Sequence, residues 1–247
     1  SCAGGMRYTL SKTAEKENVS GAVVKISFSG LLGGHSGTDI DKERYNANKL
    51  MARVLYRISQ NGQAKLVSFN GGNKDNAIPR ECEASVFFED ASEAEKTVQI
   101  ATKMCEEFKN EIVPSEPDFK YVVEVAENSN VSVFSSESSK AVFNAVCLAP
   151  YGLRRRNPNQ GYFVVTSLNL GIVSTSDNTM RLVFAPRSSV ASLQEETKDV
   201  LGLLADTFGF SVNIAGQYPG WAFAENSPIR DVFCECYRNL FNDELKI

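Results

Sequence analysis

Between residues 22 and 28 the chain alternates: Ala22, Val24, Ile26 and Phe28 fall on one side, Lys25 and Ser27 on the other. A two-residue period places such sets on opposite faces of a strand, so this stretch reads as a half-buried strand. From Ala47 through Leu50, Met51, Val54, Leu55 and Ile58 the period becomes 3.6, which predicts a helix over about 41–60, ended near Asn61-Gly62. Residues 64–69 and 82–88 read as strands, joined by a Gly- and Asn-rich loop from Asn70 to Pro79. Ser92 and Glu95 have the spacing of a capping box. The helix behind it shows Ala94, Val98, Ala101, Cys105 and Phe108 on one face and stops at Pro114 to Pro117. Phe119, Tyr121, Val123 and Val125 then alternate, which predicts a strand over 119–126.

Residues 20–127 therefore read β-α-β-β-α-β, the ferredoxin-like order, in which two helices cover one face of an antiparallel sheet. The remainder repeats most of it. A helix is expected over 137–149, then a polar loop, strands at 162–170 and 179–186, a second capping box at Ser192 and Glu195 with its helix ended at Gly209, and a strand at 210–214. Residues 131–134 are the candidate for the missing first strand of this second set. The expected fold class is α+β: a duplicated ferredoxin-like body with an antiparallel sheet and helices on one face. Beyond it, Ser227-Pro228 opens a helix with a wide apolar stripe of Ile229, Val232, Phe233, Cys236, Tyr237 and Leu240. Neither half has a place for that stripe, so it is expected to pack on a body outside this chain.

Composition narrows the function. A net charge of −4 over 247 residues argues against nucleic acid as a partner. The longest basic run, Arg154-Arg155-Arg156, sits among Gly, Asn and Pro and is read as a solvated loop. No apolar run reaches the ~20 residues of a membrane span, and no secretory signal is present. The six cysteines are scattered, which fits reduced thiols in a cytoplasmic protein. The chain opens at Ser1 without Met, and Leu245 reads as the start of a strand, so both ends look cut from something larger.

The only histidine, His35, sits in Gly33-Gly34-His35-Ser36-Gly37, directly after the first strand. Small neighbours let an imidazole there face a cleft. A metal site needs several converging ligands, and one histidine with unpaired cysteines does not provide them. Neither a Gly-x-Ser-x-Gly elbow nor a phosphate loop is present. From its residues alone, the chain looks unable to run a reaction by itself. A stand-alone ferredoxin-like module for dimerisation or ligand binding is the alternative reading.

Five stretches resemble the aminoacyl-histidine dipeptidases, also known as peptidase D or cytosolic non-specific dipeptidases, which are two-zinc, aminopeptidase-like metallopeptidases. They are Cys2-Ala3-Gly4-Gly5, Gly33 to Gly37, Asn76-Ala77-Ile78-Pro79-Arg80-Glu81, Arg187-Ser188-Ser189 and Tyr218-Pro219-Gly220-Trp221. The resemblance implies that this chain is the lid region of such an enzyme. Residues 1–18 would be a stub of the catalytic domain, 19–127 and 128–216 the two lid halves, and 217–247 the start of the catalytic domain's C-terminal part. It implies two zinc ions whose ligands, with the general-base Glu, lie outside this chain, so none is expected bound here. The chain by itself is then inactive.

The full enzyme is expected to be a cytoplasmic hydrolase of Xaa-His dipeptides such as carnosine and of other dipeptides. By the same resemblance His35 stabilises the oxyanion, Asn76 bonds the substrate's backbone or carboxylate, and Arg187 holds the free carboxylate. Arg80 is read as structural, and Tyr218 and Trp221 as hinge anchors. The implied partners are the dipeptide, the rest of the catalytic domain and a homodimer mate, with no nucleic acid and no membrane. Related lids pass the histidine to a partner's active site. An internal duplication leaves a second arrangement open, in which His35 acts within its own polypeptide.

Overall fold

The protein is described here from a computed structural model, which covers residues 2–158, 163–222, 224 and 226–245. The chain begins with β1 (Gly4–Thr13), β2 (Lys16–Ser29), the short β3 (Gly34–His35), a 3-10 turn at Ile40–Lys42, α1 (Ala47–Ser59) and β4 (Lys65–Gly71). It continues with β5 (Ala77–Ile78), β6 (Cys82–Phe88), α2 (Ala91–Ile112), β7 (Lys120–Phe134) and α3 (Ser136–Leu148). β8 (Gly152–Arg156), β9 (Val164–Ser176), β10 (Thr179–Ser188), α4 (Ala191–Phe208), β11 (Ser211–Tyr218) and α5 (Pro228–Phe241) complete it.

One antiparallel sheet carries the molecule, in the order β11-β1-β10-β9-β4-β6-β2-β7, with β8 added beside β9. Its first-half strands lie β4-β6-β2-β7, and its second-half strands lie β9-β10-β1-β11. Both are the second, third, first and fourth strands of a ferredoxin-like unit, so the expected duplication is present. The equivalent edge strands β4 and β9 meet at the centre. The helices form a row on one face, with α1 against both α2 and α3, and α3 against α4. The core fills the space between them and includes the edge-on rings of Phe28 and Phe119, 5.5 Å apart between centroids.

The first strand of the second half is β1, not residues 131–134. Gly4–Thr13, expected in a stub outside the lid, pairs with β10 on one side and β11 on the other. The alternation was there to read: Met6, Tyr8 and Leu10 are buried, while Arg7 and Ser11 lie toward solvent. What hides it is the chain order, since the whole first half is inserted between β1 and α3. Residues 131–134 instead extend β7, and with Lys16 to Gly21 of β2 they form a two-stranded ribbon. The ribbon curls over the open face, where Val133, Val19 and Val131 cover Val23, Phe87 and Val67. This curl lets the two-residue link Ala14-Glu15 join strands of different halves. The Ala14 N–H donates to the Asn178 carbonyl at the tip of the β9–β10 hairpin (3.0 Å), and Lys16 Nζ reaches the Val67 carbonyl (3.5 Å).

Side chains stitch the central joint, because β4 and β9 share one register pair, Gly71 with Val173. Thr175 Oγ1 accepts the Phe69 N–H (2.8 Å), and Asn70 Oδ1 accepts the Thr175 N–H (2.9 Å). From α1, the buried Asn46 donates to the Leu170 carbonyl (3.0 Å). Buried Lys49 donates to the carbonyls of Val146, Cys147 and Ala149 at 2.6 to 2.7 Å, satisfying the C-terminal end of α3. A buried ammonium is accepted here because three acceptors and the negative end of a helix surround it.

Other expectations shift. Arg154 to Arg156 belong to strand β8, not a loop; a short, charged strand suits an exposed sheet edge. Arg156 is engaged with the Asp41 carbonyl (3.2 Å) and Glu43 (3.8 Å). α1 starts at Ala47 behind the N-cap Asn46, not near 41, and α2 is capped by Asp90, whose carboxylate accepts the Ser92 N–H (2.7 Å). α4 follows Val190, without a side-chain cap from Ser192. Residue 162, the expected start of a strand, lies outside the described residues, as do 246 and 247 of the strand expected from Leu245. Helix α5 buries none of its residues, and its apolar stripe is open: Phe233 is 62% and Leu240 77% exposed.

Candidate functional site

Strand direction brings the singled-out residues to one edge of the sheet. β2 and β4 end there, and so does β10. His35 follows β2, Asn76 follows β4, and Arg187 is at the end of β10. The segments leading into and out of the body lie at this edge as well: Cys2 and Trp221 exchange backbone hydrogen bonds of 2.9 and 3.3 Å.

The His35 loop is tied down at several points. β3 pairs with β5, Gly34 opposite Ile78 and His35 opposite Ala77. The Ser36 N–H donates to the Asn76 carbonyl (2.9 Å), so His35 and Asn76 flank a single hydrogen bond. Asp39 accepts the His35 N–H (2.8 Å) and the Lys42 ammonium (2.6 Å). The Lys42 hydrogen bond, with help from the His35 N–H, holds the Asp39 carboxyl down at about 2. At the base of the loop, fully buried Glu116 accepts the Leu32 N–H (2.6 Å) and the Tyr45 N–H (3.1 Å). Arg80, read as structural, packs against Gly33 and donates from Nε to the Leu31 carbonyl (3.1 Å).

The imidazole is exposed, and its tautomer follows from its neighbours. The Gly37 N–H donates to Nδ1 (3.3 Å), with Thr38 Oγ1 3.4 Å away. Nδ1 can accept only when it carries no proton, so the neutral ring holds its hydrogen on Nε2 and presents it as a donor. Gly37 also keeps the ring near Arg187. A Cβ built on it would sit 3.0 Å from His35 Cε1 and 3.4 Å from Arg187 Nη1.

Asn76 and Arg187 line a common cavity of about 400 Å³ with Arg7, Asp75, Pro186 and Tyr218. An Arg7–Asp75 ion pair of 3.1 Å closes one wall. Tyr218, read as a hinge anchor, forms another wall, opposite its strand partner Gly5. Trp221 is 62% exposed. Two donors here lack partners: Ser36 Oγ and Arg187 Nε are buried without a hydrogen bond. Buried polar atoms are rarely left so. A guanidinium fork and an amide together suit a carboxylate. Asn169 and Glu116, which hold the two loops, carry no sequence signal, since each sits in an ordinary strand or helix-stop context.

Among the described residues no group of three or more His, Cys, Asp or Glu side chains is placed to hold a metal ion. None of the described helices is long and apolar enough to cross a membrane.

Residues 26–116 match the peptidase dimerisation domain of the M20 type. That segment runs from β2 past α2 and holds His35 and Asn76, while Arg187 lies beyond it. Over 243 residues, 98% of its length, the chain is 30% identical to the cytosol non-specific dipeptidase of Escherichia coli (strain K12) and spans 50% of that protein. Its fold superposes on the aminoacylhistidine dipeptidase of Vibrio alginolyticus with a TM-score of 0.89 and 29% identity, covering 98% of this chain and 50% of that one. The chain thus spans about half the length of both relatives. Residues 26–116 match the peptidase dimerisation domain, and the chain as a whole is similar in fold to about half of the aminoacylhistidine dipeptidase of Vibrio alginolyticus.

Proposed function

We propose that this chain is the lid and substrate-binding region of a cytoplasmic metallodipeptidase that hydrolyses Xaa-His dipeptides such as carnosine, and other dipeptides, with a metal-activated water. His35 donates its Nε2 hydrogen to the scissile carbonyl oxygen and then to the oxyanion. Arg187 takes the free carboxylate of the dipeptide in a two-pronged pair, and Asn76 adds a hydrogen bond beside it. The two zinc ions implied by the resemblance are held by residues outside this chain, which is inactive alone. Helix α5 and the segments around Cys2 and Trp221 join the lid to that remainder.

The observation that supports this reading is the convergence of His35 and Asn76 from two loops of one half, and of Arg187 from a strand end of the other, at the edge where the lead-in and lead-out segments meet. The central joint supports a further point. β4 and α1 of one half face β9 and α3 of the other, as two copies of a single-unit lid would, so His35 serves its own polypeptide. A homodimer then uses other surfaces.

The test is steady-state kinetics of the full-length protein. His35→Ala lowers kcat by about 10²- to 10³-fold with KM little changed, as removal of one oxyanion donor does elsewhere. A kcat near wild type would overturn the assignment. The 247-residue chain with added zinc shows no hydrolysis; hydrolysis by it would contradict the placement of the metal ligands elsewhere.

A further inference from the structure

From its hydrogen bonds we infer that Asn169, a buried residue of β9, is the positioning residue that sets the substrate-binding geometry of Asn76. Asn169 is 2% exposed, and its Nδ2 donates to the carbonyls of Asp75 and Ala77, both at 2.8 Å. Those carbonyls flank Asn76 on either side. The two hydrogens of one amide thus hold the peptide plane that enters Asn76 and the one that leaves Ala77, and so the stretch of backbone that carries the Asn76 side chain. The carbonyl of Asn76 accepts the Ser36 N–H, which completes the fixing of this residue's backbone.

A second feature of β9 brings the loop down onto that amide. A Cβ on Gly171 would lie 2.4 Å from the Asp75 carbonyl oxygen and 2.6 Å from its Cα. Only a glycine lets the loop close to this distance. Asn169 and Gly171 are two apart on β9, both in contact with residue 75, so the second half of the molecule dictates where the first half's Asn76 points. Asn169 is not among the residues lining the cavity of Asn76 and Arg187, bordering instead a separate one with Tyr45, Asn46 and Tyr151, and both hydrogens of its amide are used on the loop backbone. It acts through Asn76.

This inference rests on the proposed role of the site, and the experiment separates the two. In the full-length protein, Asn169→Asp exchanges the donor for an oxygen facing two carbonyls, and Gly171→Ala pushes the loop outward while leaving the amide intact. Each raises KM for a dipeptide between about tenfold and about a hundredfold, the scale of an ångström-sized misplacement. kcat at saturation stays within about threefold. With the C-terminally amidated dipeptide, which lacks the carboxylate that Asn76 and Arg187 receive, the variants and wild type have similar KM.

Asn169→Ser, which returns one donor, recovers part of the KM. Should Asn169→Asp fail to fold, Gly171→Ala carries the test. Folded variants with wild-type KM, or with kcat and KM changed alike for both substrates, would overturn the inference. His35→Ala in the same series reports on the site itself: a lost kcat there with unchanged KM in the β9 variants rejects the positioning role alone.

Discussion

At the scale of the residue, His35 is defined by what holds it rather than by burial. Its Nδ1 accepts the Gly37 N–H, its own N–H goes to Asp39, and among the described residues no hydrogen bond engages its Nε2. A ring used as a donor to developing charge gains most in the transition state. His35→Ala should therefore weaken a phosphinate transition-state analogue by about 10²-fold or more in Ki and leave a substrate-like inhibitor nearly untouched; equal losses for both would contradict the role. Asp39 gives a pH signature. The Lys42 hydrogen bond and the His35 N–H hold its carboxyl at about 2, below the ordinary 3.8, so its tie to the loop is fully present above 3.8 and is lost as pH falls through about 2. The His35 amide resonance should titrate near 2 in wild type, and Asp39→Asn should abolish that titration. The sequence made His35 conspicuous because it is the only imidazole and stands among glycines. Asn169 and Glu116 were not legible, because their value lies in which distant backbone groups they meet.

The elements explain why some patterns could be read and others not. Strands β2, β4 and β6 and the amphipathic stripe of α1 follow local periodicity, which the sequence states directly. β1 alternates equally well, yet its place between β10 and β11 depends on contacts almost the length of the chain away. Helix α1 shows the same limit: Asn46, Asn48 and Lys49 are polar yet buried, because they close the seam between halves. Burial pushes Lys49 down to about 8 from 10.5. The unfolded chain then binds more protons between those values, so this group makes stability rise with pH from about 8 to 10.5. Lys49→Met leaves three carbonyls of α3 unpaired and should cost about 1 to 3 kcal/mol in urea unfolding at pH 7.5. It should also remove that rise, so the gap to wild type widens at pH 9.5; a gap that narrows would contradict the burial of a charged amine.

At the scale of the whole molecule, two ferredoxin-like units share one sheet, and the second brings to the first the strand facing β4, the helix facing α1, and Arg187 near Gly37 of the His35 loop. The order of elements made the duplication legible. The seam was not, because it is made of side-chain hydrogen bonds between halves. The central claim is that His35, Asn76 and Arg187 of one polypeptide form one site serving that polypeptide's own catalytic centre. Mixing full-length His35→Ala protein with a full-length variant lacking a metal ligand tests it most directly. If the site is complete within each chain, every mixed species keeps one defect per centre and activity stays at the sum of the two variants. Activity restored on mixing, toward a quarter to a half of wild type as expected when partners exchange the histidine, would contradict the account.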